Sequence, residues 1–303
     1  MTCYASGNVN SFILSSQGNL YFAPFFKHKI LQFINTTNEK KGKIWYNISV
    51  YGGVSMSYNY TEGKKKILNI LSSKTKIEEV NTIPSSESEF TYENGIKSWV
   101  GAMFIDIVNS SKLFKEYDSE KIARIMRAFC SEIIEILKAN PNYRQIGIRG
   151  DCVYAIYSAP LKSDLNNILD DAVTINTFQI MFNKLLQNNS FPPINIGIGL
   201  GASKDLIIKA GKKGSDISDN IWIGSAVVDA SKLSSVGNRN GFYPIVLDSI
   251  FYSNIKDFKA NDTESNEDLI FKKYSHTIGE DVYHCNMVKI EFKKWIEGGM
   301  RNE

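Results

Sequence analysis

The sequence predicts an α+β fold, a sandwich in which a central, mostly antiparallel sheet is flanked by helices. Three observations favour this class. An apolar strand at 99–108 comes first, and two long amphipathic helices follow at 119–139 and 163–187. Between the helices, two short strands meet at Gly150-Asp151, which is a hairpin signal. The resulting order is strand, helix, hairpin, helix, strand, helix.

The first strand and the first long helix have the clearest patterns. Residues 102–108 are apolar except for Asp106, which is typical of a strand buried on both faces. The helix at 119–139 repeats apolar residues at three- and four-residue steps and so has one apolar face. Asp118 or Ser119 is suited to cap its N-terminus.

The other elements follow from the same periodicities and from turn residues. The hairpin strands are expected at 145–149 and 152–158. The remaining predictions are, in chain order, a helix at 61–72, a connector at 73–98, a strand at 194–200, a Gly/Lys-rich loop at 209–214, a strand at 220–224, a helix from Ser225, and a tail at 242–298 ending in a helix at 292–297.

Charge is distributed unevenly along the 303 residues. The net charge is +3, and residues 1–55 contribute +4 through five lysines against one glutamate, so the remaining residues contribute −1. A body without excess positive charge is not expected to bind nucleic acid. The hydrophobic content of 43% and charged content of 22% are those of an ordinary globular protein.

Cysteine usage and hydropathy indicate the compartment. The four cysteines are far apart in sequence and form no CxxC pair, which argues against a zinc site or a disulfide framework. No apolar run reaches 18 residues, and no signal peptide is visible. A cytoplasmic protein that does not enter a membrane is therefore predicted.

The chain divides into three predicted parts. Residues 1–55 are rich in Asn, Ser, Tyr, Phe and Lys without a clean period, so they are interpreted as non-native upstream translation before a true start at Met56, or else as an extension. Residues 56–95 form an N-terminal helix and connector. Residues 96–303 form the main domain with a C-terminal tail.

Asp106 is the first candidate site residue. A carboxylate within a buried strand is costly unless something offsets its desolvation, and a metal ion would do so. The following turn, Asn109-Ser110-Ser111, offers backbone N–H groups at a helix N-terminus, which suits phosphate. The alternative is a core strand whose aspartate is satisfied by a backbone turn.

Asp151, at the hairpin tip, is the second candidate. If the hairpin lies beside the first strand, the two carboxylates converge at one end of the sheet. They would then hold two divalent ions near a triphosphate, with the Ile107 carbonyl as a further ligand. Taken alone, Gly150-Asp151 is also an ordinary turn signal.

These residues belong to a set of blocks that resembles the class III nucleotidyl cyclases. The blocks are FIDIVNSS at 104–111, GDCVYA at 150–155, IGSAV at 223–227 and ASKL at 230–233. The resemblance implies a ferredoxin-like cyclase sandwich in a head-to-tail homodimer. It also implies two divalent ions per site, Mn²⁺ or Mg²⁺, on Asp106 and Asp151, with active sites at the subunit interface.

The departures from the family pattern concern the base and the phosphate. The positions where purine cyclases read the base fall on Gly147 and Ile221, and the arginine that stabilises the transition-state phosphate falls on Lys232. The position of the asparagine that helps to orient the ribose falls on Val228 or on its neighbour Asp229. Arg149 stands at a normally apolar position and could donate to a pyrimidine carbonyl or to phosphate.

Within the class, the sequence resembles the Pycsar antiphage pyrimidine cyclases from about Met56 to Met300. The shared segments are IPSSESEFTYENG at 83–95, IGIRGDCVYAIYSAP at 146–160, IKAGKKG at 208–214, IWIGSAVVDASKLSSVGN at 221–238 and YHCNMVKIEF at 283–292. The resemblance implies conversion of UTP to cyclic UMP, a second messenger read by a separate effector protein. A cytidylate or purine cyclase, or a catalytically inactive nucleotide-binding dimer, is the alternative.

The residues of the predicted site have three roles: catalysis, metal binding and nucleotide binding. The catalytic residues are Asp106, Asp151 and Lys232, and the metal ligands are Asp106, Ile107 and Asp151. The nucleotide-binding residues are Phe104, Asn109, Ser110, Ser111, Arg149, Lys209 and Lys212. For Lys212 the other interpretation is an ordinary solvated loop.

Overall fold

The computed structural model of the chain describes residues 58–213, 217–261 and 264–301, together with the backbone of four short strands nearer the N-terminus. The chain divides into two compact units, Met1–Ser73 and Lys74–Glu303. Within the described residues, no helix combines the length and the apolar character that crossing a membrane requires.

In the first unit, the part of the chain that the structure describes comprises four strands and one helix. The strands pair in two antiparallel hairpins, and the helix is capped by Asn59, whose side chain accepts a hydrogen bond from the Glu62 amide. These elements are β1 (Ile13–Leu14), β2 (Leu20–Tyr21), β3 (Leu31–Ile34), β4 (Asn47–Val50) and α1 (Tyr60–Ser72). The predicted helix at 61–72 is therefore confirmed. Apart from the four strands, the predicted extension at 1–55 lies outside the described residues, and its non-native origin stays a prediction.

A nine-stranded sheet forms the centre of the second unit. Its main path runs β12-β13-β11-β9-β6-β8-β7, while β10 pairs with β9 and β5 pairs with β6. The strands are β5 (Lys76–Glu79), β6 (Asn94–Ile107), β7 (Tyr143–Arg149), β8 (Cys152–Ser158), β9 (Ile196–Gly211), β10 (Ser218–Ile223), β11 (Ile245–Leu247), β12 (Phe271–Ser275) and β13 (Glu280–Cys285). Among the strands that the structure describes, only β5 with β6 and β9 with β11 are parallel pairs, so the predicted mostly antiparallel sheet is confirmed.

Helices cover both faces of this sheet. The second unit contains α2 (Ser110–Glu116), α3 (Ser119–Lys138), α4 (Lys162–Asn188), α5 (Ser225–Ser234), α6 (Ser249–Ile255), α7 (Asn266–Leu269) and α8 (Ile290–Glu297), with a 3₁₀ helix at Glu87–Glu89. The helices α3 and α4 pack on the face that carries Met103, Ile105 and Ile107, which forms the main core. Helix α5 packs on the opposite face.

The position of α5 depends on glycines in β9. A Cβ atom at Gly199 would lie 2.0 Å from the Ala230 carbonyl oxygen, and one at Gly201 would lie 2.4 Å from that of Ala226. Any larger residue would push the helix away from the sheet. This close approach places the C-terminal end of α5 beside the end of β6.

Several predicted boundaries are wrong. Strand β9 reaches Gly211 instead of ending at 200, and the predicted connector at 73–98 contains β5 and the start of β6. The reason is pairing: β6 and β9 remain opposite each other from Gly95 and Ile208 to Ile107 and Ile196. A partner strand satisfies the backbone along this whole length, whatever the side chains are.

Candidate active site

An open cleft of about 620 Å³ lies where β6 ends and α2 begins. Two carboxylates, the first turns of α2 and one arginine surround it. Its lining residues are Asp106, Ile107, Asn109, Ser110, Ser111, Lys112, Lys115, Glu116, Asp151 and Arg239. Six of the residues that the sequence placed in the site are thus brought together here.

The two carboxylates reach the cleft from neighbouring strands. Asp106 is the last but one residue of β6, while Asp151 follows Gly150 in the turn between β7 and β8. Gly150 has a φ of 64°, which a glycine adopts without strain and which keeps this turn tight. Because Ile105 pairs with Val153, the turn ends beside Asp106, as the sequence predicted.

The turn after β6 starts α2 abruptly. Asn109 adopts a left-handed conformation with φ 56° and ψ 33°, and its side chain does not cap the helix. Its carbonyl instead accepts hydrogen bonds from the amides of Lys112 and Leu113, at 2.9 and 3.2 Å. The first turn of α2, with Ser110 and Ser111, therefore lies directly at the cleft.

Arg239 is the residue that sequence reasoning missed. Its Nη2 donates to Oδ2 of Asp106 at 2.7 Å and to the Ile107 carbonyl at 3.3 Å. It comes from the loop after α5, where Asn238, Asn240 and Gly241 all have positive φ. Residues of these types tolerate a left-handed backbone, so their clustering in the sequence indicates a tight loop around Arg239. This clustering is the sequence signal that could have drawn attention to Arg239.

Burial controls the ionisation of Asp106. Desolvation raises the pKa of its carboxyl above the usual value, the guanidinium of Arg239 acts in the opposite direction, and the nearby charge of Asp151 raises the pKa further. The site therefore needs positive charge, and in the structure Arg239 supplies it.

The donor set fits a hard divalent cation. Asp106, Asp151 and the Ile107 carbonyl offer only oxygen atoms, which Mg²⁺ and Mn²⁺ prefer. The guanidinium of Arg239 lies on two of these oxygens and marks where a cation is stabilised. Among the described residues no group of three or more His, Cys, Asp or Glu is placed to hold a metal, so water or substrate phosphate would complete the coordination.

The other predicted site residues do not line this cleft. Lys232 is exposed on α5, and Arg149 is exposed at the end of β7. Lys209 lies opposite Asn220 in the ladder of β9 and β10, and Lys212 follows the end of β9. Phe104 lies on β6, two residues before Asp106.

Phe104 belongs to an aromatic patch on the sheet face that α5 also covers. Its ring stacks on Tyr154 of β8, with the centroids 5.2 Å apart and the planes at 14°. Tyr154 in turn covers Gly147 of β7, where a Cβ atom would lie 2.5 Å from the Tyr154 hydroxyl oxygen. A tyrosine ring thus fills the space beside Gly147, the position at which the family resemblance leads us to expect the base reader of purine cyclases.

Gln145 links this patch to β10. Its side-chain oxygen accepts a hydrogen bond from Trp222 Nε1 at 2.5 Å, and its nitrogen donates to Asp219 at 3.2 Å and to the Tyr154 hydroxyl at 3.4 Å. The contacts of Gln145 with Asp219 and Trp222 were not predicted, because they join residues more than 70 positions apart. Ile221, where the resemblance leads us to expect the second base-reading position, is 45% exposed.

Comparison with known proteins agrees with this geometry. Residues 93–242 match the sequence model of the adenylate and guanylate cyclase catalytic domain. A uridylate cyclase of Treponema porcinum is 40% identical over 82% of this chain and 85% of its own length. A uridylate cyclase of Gulbenkiania mobilis is 28% identical over 80% of this chain and 96% of its own length.

Solved structures share the fold. The adenylyl cyclase CyaB from P. aeruginosa is 18% identical and covers 63% of this chain and 95% of its own, with a TM-score of 0.52. The guanylyl cyclase Cya2 is 11% identical and covers 65% and 95%, with a TM-score of 0.51. The predicted cyclase sandwich and the predicted resemblance are confirmed, and the chain belongs to the class III nucleotidyl cyclases, the family of the adenylate and guanylate cyclase catalytic domains and of these two uridylate cyclases.

Proposed function

We propose that the protein is a uridylate cyclase that converts UTP to cyclic UMP and pyrophosphate. The observation that carries the proposal is the 40% identity, over most of both chains, to a protein named uridylate cyclase. The cleft supports it, because Asp106 and Asp151 lie together as a cyclase needs.

The reaction is an intramolecular displacement. The ribose 3′-hydroxyl gives up its proton to solvent and its oxygen forms a bond to the α-phosphorus. The bond from that phosphorus to the oxygen that bridges to the β-phosphorus breaks, and pyrophosphate leaves with that electron pair. Asp106, Asp151 and the Ile107 carbonyl would hold two ions, Mn²⁺ or Mg²⁺. When bound, such ions lower the pKa of the attacking hydroxyl and neutralise the polyphosphate.

The remaining groups bind and neutralise the substrate. The amides of Asn109, Ser110 and Ser111 would hold the β- and γ-phosphates at the start of α2. The ammonium group of Lys232, with Lys209 or Lys212, would offset the charge that develops on the phosphorus.

Base selection rests on space and on one donor. Tyr154 fills the room above Gly147, which leaves less space for a two-ring base. Arg149, on the same strand and two residues from Gly147, would donate to a carbonyl, and a guanidinium can only donate. Uracil offers two carbonyl acceptors, whereas cytosine offers one.

The protein would act as a homodimer with composite sites, and the positions of these groups support this. The cleft holds the groups for metal and phosphate, whereas Lys232, Arg149 and Gly147 lie elsewhere on the same chain. In a head-to-tail dimer, each chain would supply these residues to the cleft of its partner.

Turnover tests the proposal. The purified protein should convert UTP to cyclic UMP with Mn²⁺ present, as followed by chromatography with mass spectrometry. Binding of UTP without any product would identify a catalytically inactive cyclase-like dimer, which the lysine at position 232 favours. Cyclic CMP or a cyclic purine nucleotide as the main product would identify one of the other cyclases.

The cellular proposals rest on the resemblance to the Pycsar cyclases. The enzyme would act in the cytoplasm during phage infection, without nucleic-acid or membrane partners, and a separate effector protein would read cyclic UMP. Cyclic UMP measured in infected cells should rise above its level in uninfected cells. Residues 1–55 would be dispensable, so a chain beginning at Met56 should keep full activity.

A further inference from the structure

We propose that Arg239 is the resident counter-cation of the metal site and that a divalent ion must displace it from Asp106 and from the Ile107 carbonyl. The inference rests on the metal site of the proposed function. It makes Arg239 a positioning residue, which controls how readily the cleft accepts an ion.

The geometry shows direct competition. Arg239 Nη2 lies 2.7 Å from Asp106 Oδ2 and 3.3 Å from the Ile107 oxygen, and these are two of the expected ligand atoms. The side chains of Arg239 and Asp106 are only 22% and 25% exposed. An ion on the same oxygens would approach the guanidinium closely, and two cations repel strongly where little water screens them.

The arginine is also held from behind. Its Nη1 donates to the carbonyls of Ser234 and Gly237, both at 3.1 Å, at the C-terminal end of α5. The loop around it turns back sharply through the left-handed residues Asn238 and Asn240. Hydrogen bonds to backbone carbonyls therefore orient the guanidinium toward the cleft.

The charges explain why such an arrangement is useful. Without an ion, the side chain of Asp106 is only 25% exposed, and Arg239 is the cation that contacts it, at 2.7 Å. A metal–triphosphate complex carries both replacements: its ion takes the place of Arg239 on Asp106, and its phosphates accept the released guanidinium. Ion and substrate would thus enter together more readily than the ion alone.

Mn²⁺ binding to the nucleotide-free protein, measured by electron paramagnetic resonance of the free ion, tests this directly. Arg239→Gln should tighten Mn²⁺ binding about tenfold, because a charge-assisted contact no longer has to be broken. Arg127→Gln, which removes an exposed arginine of α3 outside the cleft, should leave the affinity unchanged. A folded Arg239→Gln protein that binds Mn²⁺ equally or more weakly would overturn the inference.

A second measurement uses the unaltered protein. Phenylglyoxal modifies arginines, and the rate at Arg239, read by peptide mass spectrometry, should rise severalfold at saturating Mn²⁺, while the rate at Arg127 stays constant. An unchanged rate at Arg239 would also reject displacement. Asp106→Asn distinguishes a wrong metal site from a wrong role for Arg239. If Asp106→Asn leaves Mn²⁺ binding intact, the proposed metal site is itself wrong. If Asp106→Asn abolishes Mn²⁺ binding while Arg239→Gln leaves the affinity unchanged, only the counter-cation role is rejected.

Discussion

The ring of Tyr154 covers Gly147 on the neighbouring strand so closely that a Cβ atom at Gly147 would lie 2.5 Å from both Cζ and the hydroxyl oxygen of Tyr154. The two residues are direct partners in the ladder of β7 and β8. The glycine thus makes room for the tyrosine, whose ring is fixed from the other side by Phe104. We propose that this rigid aromatic wall takes the place of a polar base reader.

Removing this wall should relax base selection. Tyr154→Ala should raise the ratio of cyclic purine to cyclic pyrimidine product about tenfold, because the change opens space that a larger base needs. The ratio from mixed triphosphates is the quantity to measure, since lost packing will also lower the total rate. Tyr154→Phe keeps the ring without its hydroxyl and should retain the wild-type ratio. If both variants keep that ratio, the ring does not select the base.

The two carboxylates should be individually indispensable. Asp106→Asn and Asp151→Asn should each lower turnover by about a thousandfold or more, because a neutral amide no longer supports the metal chemistry. Both proteins should remain folded by circular dichroism, since the amides keep the shape of the side chains. Asp281→Asn, in a surface ion pair with Lys272, serves as the matched control. Turnover near the wild-type level in either cleft variant would remove that carboxylate from the mechanism.

Composite sites predict complementation between two inactive proteins. Asp106→Asn damages the cleft, while Lys232→Ala removes an exposed lysine outside it. In random heterodimers one of the two sites would contain neither change, so an equal mixture should recover about a quarter of wild-type turnover. A mixture no more active than its two components would contradict sites shared between subunits.

Asp171 should make stability depend on pH. Burial raises the pKa of this carboxyl to about 6, although the Asn140 side chain donates a hydrogen bond to it at 2.8 Å. The native state therefore binds the proton of Asp171 more tightly than the unfolded chain does. The contribution of this carboxyl to stability is complete below its ordinary pKa and is lost as the pH rises through about 6.

Asp171→Asn should abolish this loss. The stability of each protein is measured as its free energy of unfolding in urea. The stability of the variant minus that of wild type should be about 2 kcal/mol larger at pH 7.5 than at pH 4.5. If the difference in stability between the two proteins is the same at both pH values, the pKa of the Asp171 carboxyl is not raised in the native state.

Much of the fold could be predicted because its elements have clear local periods. The apolar face of α3 and the apolar run of β6 identify each element without knowledge of its partner. The extent of β9 could not be predicted, because Ser203, Lys204 and Asp205 interrupt its apolar run, and its distal half is held by pairing with β6 and β10. Local patterns indicate which elements form, whereas partner strands determine how far they extend.

The same distinction applies to the site. Asp106 and Asp151 could be predicted because a charged residue in a buried strand and a hairpin tip are both visible locally. Arg239 was missed because its contact with Asp106 spans 133 residues and depends on α5 resting against the glycines of β9. The cover of Tyr154 over Gly147 was missed because strand register, and not sequence spacing, brings the two together.

Competition among the four nucleoside triphosphates tests most directly whether this cyclase acts on UTP. The purified wild-type protein is given an equimolar mixture of UTP, CTP, ATP and GTP with Mn²⁺, and the four cyclic products are quantified by mass spectrometry. We expect cyclic UMP to predominate, and we expect Arg149→Ala to lower its share of the products. Predominant cyclic CMP, cyclic AMP or cyclic GMP from the wild-type protein would contradict this expectation.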